Sequence, residues 1–169
     1  MHRLAFAALV AAAALAGCER ASVAPQAEEG RDDAAITAEV ADLVRRWADA
    51  GESGQWDELK ALYADEDGFA WIEEGVARYK DHASIVAGLD AARDLALAVD
   101  NDVGTIVVVP IADDAAALYA EISSAVRSDA FSYDFNGVLS AVAVKRDGAW
   151  RFLQGHLSQP PPTAPDNSE

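Results

Sequence analysis

The amino-acid sequence predicts an α+β fold, in which three helices precede a mostly antiparallel sheet. Apolar residues recur at helical spacing in three stretches between residues 34 and 92, and they alternate with polar residues over much of 95–158. Two apolar runs flank Asp147-Gly148, a pair that favours a type I′ hairpin turn because both central residues need φ > 0. Helices followed by a run of strands are typical of the α+β class.

The helices are predicted from apolar residues that recur every three or four positions. The first helix is expected over residues 34–50, with Asp33 as its N-cap and Gly51 at its end. A second, shorter helix is expected after Gly54, and Asp81 is the expected N-cap of a third. The stripe of the first helix consists of Ile36, Val40, Leu43, Val44 and Trp47.

Strands are predicted from short apolar runs and from alternation. Residues 69–72 and 76–79 are expected to form a strand pair around a turn at 73–75. Longer strands are expected after the third helix, with one turn signal at Asn101-Asp102. These strands cover residues 95–99, 103–111, 115–127, 133–146 and 149–158.

The turn of the last hairpin also predicts its register. A two-residue turn places Ala143 opposite Phe152 and Leu139 opposite His156, with Trp150 on the same face near the turn. Small residues beside two large rings, followed by polar residues, are typical of a cavity wall with a polar end. Both faces of this sheet are apolar, and such a sheet usually has both covered, one by helices and the other by a second subunit.

The composition argues against nucleic-acid binding. The chain has 13 Lys and Arg residues against 29 Asp and Glu residues, a formal charge of −16. No Lys/Arg cluster is longer than a pair, so the electrostatic pattern of a nucleic-acid-binding protein is missing. We expect no nucleic-acid partner and interpret the acidic residues as a solvated surface.

The N-terminal segment has the pattern of an export signal. A charged start precedes an apolar run over residues 4–15, which is too short to cross a bilayer as a helix. The sequence Leu15-Ala16-Gly17-Cys18 resembles the lipobox of bacterial lipoproteins. This resemblance implies a signal peptide over residues 1–17, lipidation of Cys18, and a membrane-anchored protein of the bacterial envelope that faces the periplasm. The alternative is a secreted protein whose only cysteine lies at the boundary.

Composition divides the rest of the chain into three parts. Residues 18–33 are the lipidated cysteine and a flexible tether, rich in Ala and charge. Residues 34–158 carry all the periodic segments and are expected to form one domain of common size. Residues 159–169, with four prolines, are expected to be a disordered tail.

The order of the elements in 34–158 is similar to the nuclear transport factor 2-like (NTF2-like, or SnoaL-like) superfamily. The closing motifs Trp150-Arg151-Phe152 and His156-Leu157-Ser158 look most like the DUF4440 group within it. The resemblance implies a cone-shaped barrel, with three N-terminal helices packed on a curved, mostly antiparallel sheet. It also implies a pocket between the helices and the concave sheet face, and a homodimer. Members include isomerases, dehydratases, cyclases and proteins that only bind, so the fold does not define the function.

An enzyme hypothesis follows from the ketosteroid isomerase-like branch of this superfamily. That branch uses a carboxylate base in the pocket and a hydrogen-bond donor for the developing oxyanion. The resemblance places the base on the strand after the second helix, where this chain has Trp71 and Ile72. The next carboxylates, Glu73 and Glu74, are interpreted as turn residues. This departure weakens the enzyme hypothesis.

Other residues could replace the missing base. Glu121 is a candidate base, His156 a candidate acid or base, and Tyr119 or Tyr79 a candidate hydrogen-bond donor. The simpler interpretations are a solvent-facing carboxylate for Glu121 and a structural histidine for His156. The full set of expected ligand-contacting residues is Trp71, Tyr79, Tyr119, Glu121, Trp150, Phe152 and His156.

No metal and no cofactor are expected, because the sequence contains no His-x₃-His or Cys-x₂-Cys spacing and no glycine-rich phosphate loop. The preferred hypothesis is binding of a small apolar or amphipathic ligand, or of a protein partner, without turnover. The alternative is an isomerase or lyase that acts by proton transfer in the pocket. A third possibility is that the outer sheet face serves assembly, as a homodimer or with an envelope partner.

Overall fold

The computed structural model describes residues 30–129 and 131–160. The predicted signal peptide, Cys18, most of the tether and residues 161–169 of the tail lie outside the described residues. In chain order the elements are α1 (Asp33–Glu52), α2 (Trp56–Ala61), β1 (Ala70–Glu73), β2 (Val76–Tyr79), α3 (His82–Asp94), β3 (Ala98–Ala112), β4 (Ala115–Ser128), β5 (Phe131–Arg146) and β6 (Ala149–Ser158).

The strands form one curved, open, six-stranded sheet in the order β2-β1-β6-β5-β4-β3. All neighbours are antiparallel except β1 and β6, which pair in parallel. The buried residues of α1 and α2 pack with those of β4, β5 and β6 in one core. The predicted α+β class and the NTF2-like cone, with its mostly antiparallel sheet, are confirmed.

The helix ends depend on short side chains that satisfy free backbone N–H groups. The N-cap of α1 is Asp32, whose carboxylate accepts a hydrogen bond from the Ala35 N–H at 2.9 Å, so the predicted cap is one residue too late. The predicted cap of α3 is confirmed, because Asp81 forms a capping box with Ser84.

The predicted turn at Asn101-Asp102 is wrong, because β3 runs without interruption through both residues. Asn101 uses its amide within the fold instead: it donates to the Ala48 carbonyl at 3.0 Å and accepts from the Ser124 hydroxyl at 2.6 Å. These tertiary hydrogen bonds outweigh the local preference of asparagine for turns. The strand predicted from residue 95 is also wrong at its start, because Leu95 is the C-cap of α3.

The predicted register of the last hairpin holds only near the turn. Ala143 pairs with Phe152 as expected, but an irregularity follows in which Leu153 is an extra residue, and the next pair is Val142 with Gln154. Such a bulge reverses the inward and outward alternation of the strand beyond it. Leu139 therefore pairs with Leu157, and the predicted pairing of Leu139 with His156 is wrong.

The helices and the sheet meet at a cluster of five rings, the aromatic cluster: Trp47, Tyr63, Phe69, Trp71 and Phe152. The ring of Trp71 lies 5.2 Å from that of Tyr63 and 5.7 Å from that of Phe152, both edge to face. Trp71 pairs with Gly155 across the parallel β1–β6 ladder, and a Cβ atom at Gly155 would overlap its indole. The absent side chain of Gly155 thus makes room for the Trp71 ring.

We expect Gly155→Ala to lower the free energy of unfolding by about 1–3 kcal/mol, the usual range for overpacking a tight core site. The matched control is Gly104→Ala, because its new methyl group would meet only the Glu121 side chain, with the carboxylate at 2.9 Å and the Cβ at 3.1 Å. Urea denaturation of both variants measures the difference. The double variant Trp71→Leu/Gly155→Ala should lose less stability than the sum of its single changes, and strict additivity would contradict the proposed overlap.

Candidate functional site

A cavity of about 570 Å³ lies between the three helices and the concave sheet face. Its walls come from all three helices and from every strand, so each wall is held by an ordered element. The lining is mainly apolar, with a few polar groups, which is the usual composition of a small-molecule site. The aromatic lining residues are Trp47, Trp56, Tyr63, Trp71, Tyr79, Phe131, Tyr133 and Phe135.

The charged groups of the cavity are at the β1–β2 turn. Glu73, Glu74 and Arg78 all line the cavity. The Arg78 Nε atom lies 3.4 Å from a Glu73 carboxylate oxygen, and the Tyr133 hydroxyl donates to Glu74 at 3.1 Å. The Glu73 side chain is 31% exposed, and this burial raises its pKa despite the nearby Arg78 guanidinium. The site thus holds a carboxylate that is partly removed from water.

Two tyrosines, Tyr63 and Tyr79, line the same cavity. The Tyr63 hydroxyl is buried and accepts a hydrogen bond from the Trp47 indole N–H at 2.7 Å. Burial raises the pKa of Tyr63 and of Tyr79, and the negative charge of Glu73 raises both further. Both phenols are therefore neutral at physiological pH and available as hydrogen-bond donors.

Two of the residues predicted to contact a ligand, Trp71 and Tyr79, line the cavity. Tyr119 and His156 do not, because both pair with Ser140 in one cross-strand row on the outer face of the sheet. Glu121 faces outward too, since Ala120 and Ile122, on either side of it, point into the core. The extra residue at Leu153 puts His156 on this face, whereas Tyr119 and Glu121 lie on it through the regular alternation of β4.

Glu121 is a solvent-facing carboxylate, as in the simpler of its two interpretations. Its side chain is on the exposed face, and its carboxylate accepts a hydrogen bond from the Thr105 N–H at 3.1 Å. This hydrogen bond lowers the pKa of Glu121, which is the opposite of what a general base near neutral pH needs. Glu121 is therefore not a base for the cavity.

Trp150 and Phe152 are core residues that the cavity does not reach. The Trp150 indole N–H donates to Glu39 at 2.7 Å, which ties β6 to α1. Phe152 is 0% exposed and belongs to the aromatic cluster behind the cavity wall. Their large rings serve packing between the helices and the sheet.

The residue that the sequence analysis missed is Glu73. It was assigned to the turn, but the turn consists of Glu74 and Gly75, which both have positive φ. Glu73 is the last residue of β1, two positions after Trp71, so both side chains lie on the cavity side of the strand. Applying strict alternation from Trp71 onward could have found it.

Residues 32–154 match the SnoaL-like domain family. The chain belongs to this family. No curated protein matches the chain.

In the described part of the SnoaL-like chain, no three His, Cys, Asp or Glu side chains are grouped so that they could hold a metal ion. None of the helices within residues 30–129 and 131–160 combines the length and the apolar character needed to cross a membrane.

Solved structures share the SnoaL-like fold. One is a protein from Streptomyces avermitilis proposed to be a dehydratase of the NTF2-like family, with TM-score 0.63 and 12% identity over 73% of this chain and 94% of that one. Another is an NTF2-like protein of unknown function in nutrient uptake from Rhodospirillum rubrum. Its TM-score is 0.61, with 19% identity over 72% of this chain and 98% of that one. A third is an NTF2-like protein of unknown function from Pseudomonas putida. Its TM-score is 0.60, with 15% identity over 75% of this chain and 88% of that one. At these identities the likeness shows the fold alone.

The partly buried carboxylate of Glu73 leads to a prediction of how stability depends on pH. The pKa of Glu73 is raised in the folded chain, so its ionisation opposes folding, and stability is lost as the pH rises past the unfolded value of about 4.3. We expect Glu73→Gln to gain stability relative to wild type as the pH rises from about 4 to neutrality, because the wild-type carboxylate ionises less readily in the folded chain than in the unfolded one. Thermal unfolding across this range measures the effect.

The matched control is Glu121→Gln, for which the expected change in stability with pH has the opposite sign. Its pKa is lowered in the folded chain, so the ionised carboxylate favours folding above the unfolded pKa. This variant should lose stability relative to wild type as the pH rises. The same pH trend in both variants would contradict the assigned environments.

Proposed function

We propose that this chain binds a small amphipathic molecule in the cavity between its helices and its sheet, without turnover. The observation that carries the proposal is the cavity itself: about 570 Å³, walled by aromatic side chains and polar at the β1–β2 turn. Small-molecule sites range over about 300–1,000 Å³ and combine apolar walls with a few oriented polar groups. The apolar body of such a ligand fits against the rings, and its polar end fits beside Glu73.

The polar end of the cavity supports a role in binding rather than in packing alone. A carboxylate whose pKa is raised by burial opposes folding at neutral pH, and so do polar groups placed in an apolar wall. Natural proteins retain such groups most often where a ligand or a reaction uses them. Glu73 therefore favours a functional cavity over an unfilled part of the core.

We propose that the domain is held on a membrane of the bacterial envelope by a lipid on Cys18, as the lipobox-like sequence suggests. More than one acyl chain on the mature N-terminus would make this attachment stable. Labelling of cells with radioactive palmitate, compared between wild type and Cys18→Ser, tests the anchor. Label in wild type and none in the variant supports it, and an unlabelled wild type rejects it.

We also propose that a second copy of the chain covers the outer sheet face. Val109 and Ile111 on this face are each 57% exposed, and Tyr119 is 46% exposed. Large exposed apolar side chains on a sheet face are typical of an interface, and antiparallel sheets pack well face to face. Sedimentation equilibrium of the full chain tests the dimer, and a monomer at all concentrations would reject it.

Filling the cavity should abolish binding. Ala92 lines the cavity from α3, whereas its neighbour Ala91 is exposed on the same helix. We expect Ala92→Phe to weaken binding of the neutral fluorescent probe N-phenyl-1-naphthylamine at least about tenfold, because the new ring occupies the space that the probe needs.

Ala91→Phe is the matched control, since it adds the same side chain outside the cavity. It should bind the probe like wild type. Fluorescence titration of the full chain, with thermal unfolding to verify folding, gives the comparison. Equal binding by all three proteins would place the probe elsewhere and contradict the cavity proposal.

Glu73 also favours a second candidate function, an isomerase or lyase that acts by proton transfer. A carboxylate with a raised pKa can accept a proton, and the neutral hydroxyls of Tyr63 and Tyr79 can donate hydrogen bonds to a developing oxyanion. These three groups line one cavity. The solved dehydratase-like relatives share only the fold, so this chemistry stands on the residues alone.

Deuterium exchange separates the two functions. A molecule extracted from the purified protein is returned to wild type and to Glu73→Gln in D₂O, and its mass is followed with time. An enzyme predicts deuterium incorporation or conversion with wild type and neither with the variant, while both proteins still bind the molecule. An unchanged mass with wild type supports binding without turnover.

A further inference from the structure

We propose that the cavity selects an organic cation, an amine or quaternary ammonium with an apolar body, whose charged end lies between Glu73 and the aromatic walls. The inference rests on the proposed binding function and adds the chemical class of the ligand. It follows from the sign of the charges at the cavity, from their unequal exposure, and from the type of side chain that surrounds them.

The charged lining of the cavity has a net negative sign. Glu73, Glu74 and Arg78 are the charged lining residues, which leaves one negative charge in excess. Arg78 is also the more exposed partner of its ion pair: its side chain is 55% exposed, against 31% for Glu73. The carboxylate is thus the less exposed charge of the pair. A carboxylate or phosphate ligand would meet two carboxylates of like sign.

The neighbouring rings suit a cation as well. Trp47 and Tyr79, which are only partly buried, line the same cavity, and the faces of Trp and Tyr rings attract ammonium groups through their quadrupoles. The Trp47 ring is held by its contact with Trp71, 6.2 Å away. An ammonium group beside them gains charge attraction from the rings and from Glu73 at once, whereas a neutral group gains no charge attraction from either.

The test uses three probes with the same body and different charge: 4-phenylbutylamine, 4-phenylbutanol and 4-phenylbutyrate. Isothermal titration of the full chain carrying Cys18→Ser, which cannot be lipidated, gives the three affinities. We expect the amine to bind about tenfold or more tightly than the alcohol, and the butyrate to bind most weakly.

Two charge variants assign the preference to the site. Glu73→Gln should reduce the affinity for the amine towards that of the alcohol and leave the alcohol unchanged, because only the charged contact is removed. Arg78→Gln should raise the affinity for the amine, because it removes the competing cation. Glu121→Gln, on the outer face, is the control that removes one negative charge and should leave all three affinities unchanged.

The possible failures are distinguishable. Binding of the alcohol or the butyrate as tight as that of the amine would overturn the cation inference and leave the proposed binding function intact. An equal loss of amine affinity in Glu73→Gln and Glu121→Gln would overturn it too, because net charge rather than the cavity would then explain the preference. Binding of no probe by wild type would overturn the binding function together with the inference.

Discussion

The structure depends on the contact between Trp71 and Gly155 across the only parallel strand pair of the described sheet. Because Gly155 has no side chain, the indole lies against the backbone of β6 and reaches both Tyr63 and Phe152. This contact joins the helical layer to the long hairpin. It also sets the direction of β1, so alternation brings Glu73, two residues later, to the cavity side.

The cavity follows from that arrangement. Rings fill the space behind its wall, and its charged side chains lie at the β1–β2 turn. A partly buried Glu73 opposes folding at neutral pH, and a fold selected for stability alone would replace it with a neutral residue. The compromise is understandable if a ligand supplies the missing interaction, as in binding sites that trade stability for recognition.

Local patterns predicted most of the fold, because helix stripes, caps and an Asp-Gly turn act over a few residues. They could not predict the extra residue at Leu153, since a bulge is set by which side chains the core accepts. That one residue moved His156 to the outer face, where Tyr119 and Glu121 also lie. Trp71 and Tyr79 line the cavity together with Glu73, which the local sequence does not distinguish from a turn residue.

The central claim is that the cavity holds a small molecule, and native mass spectrometry tests it most directly. The full chain carrying Cys18→Ser would be purified without detergent from the host of origin and weighed before and after denaturation. The account predicts one small molecule per chain in the native spectrum, released on denaturation and absent from Ala92→Phe. A chain that carries nothing from its host, at a concentration where it is folded, would contradict it.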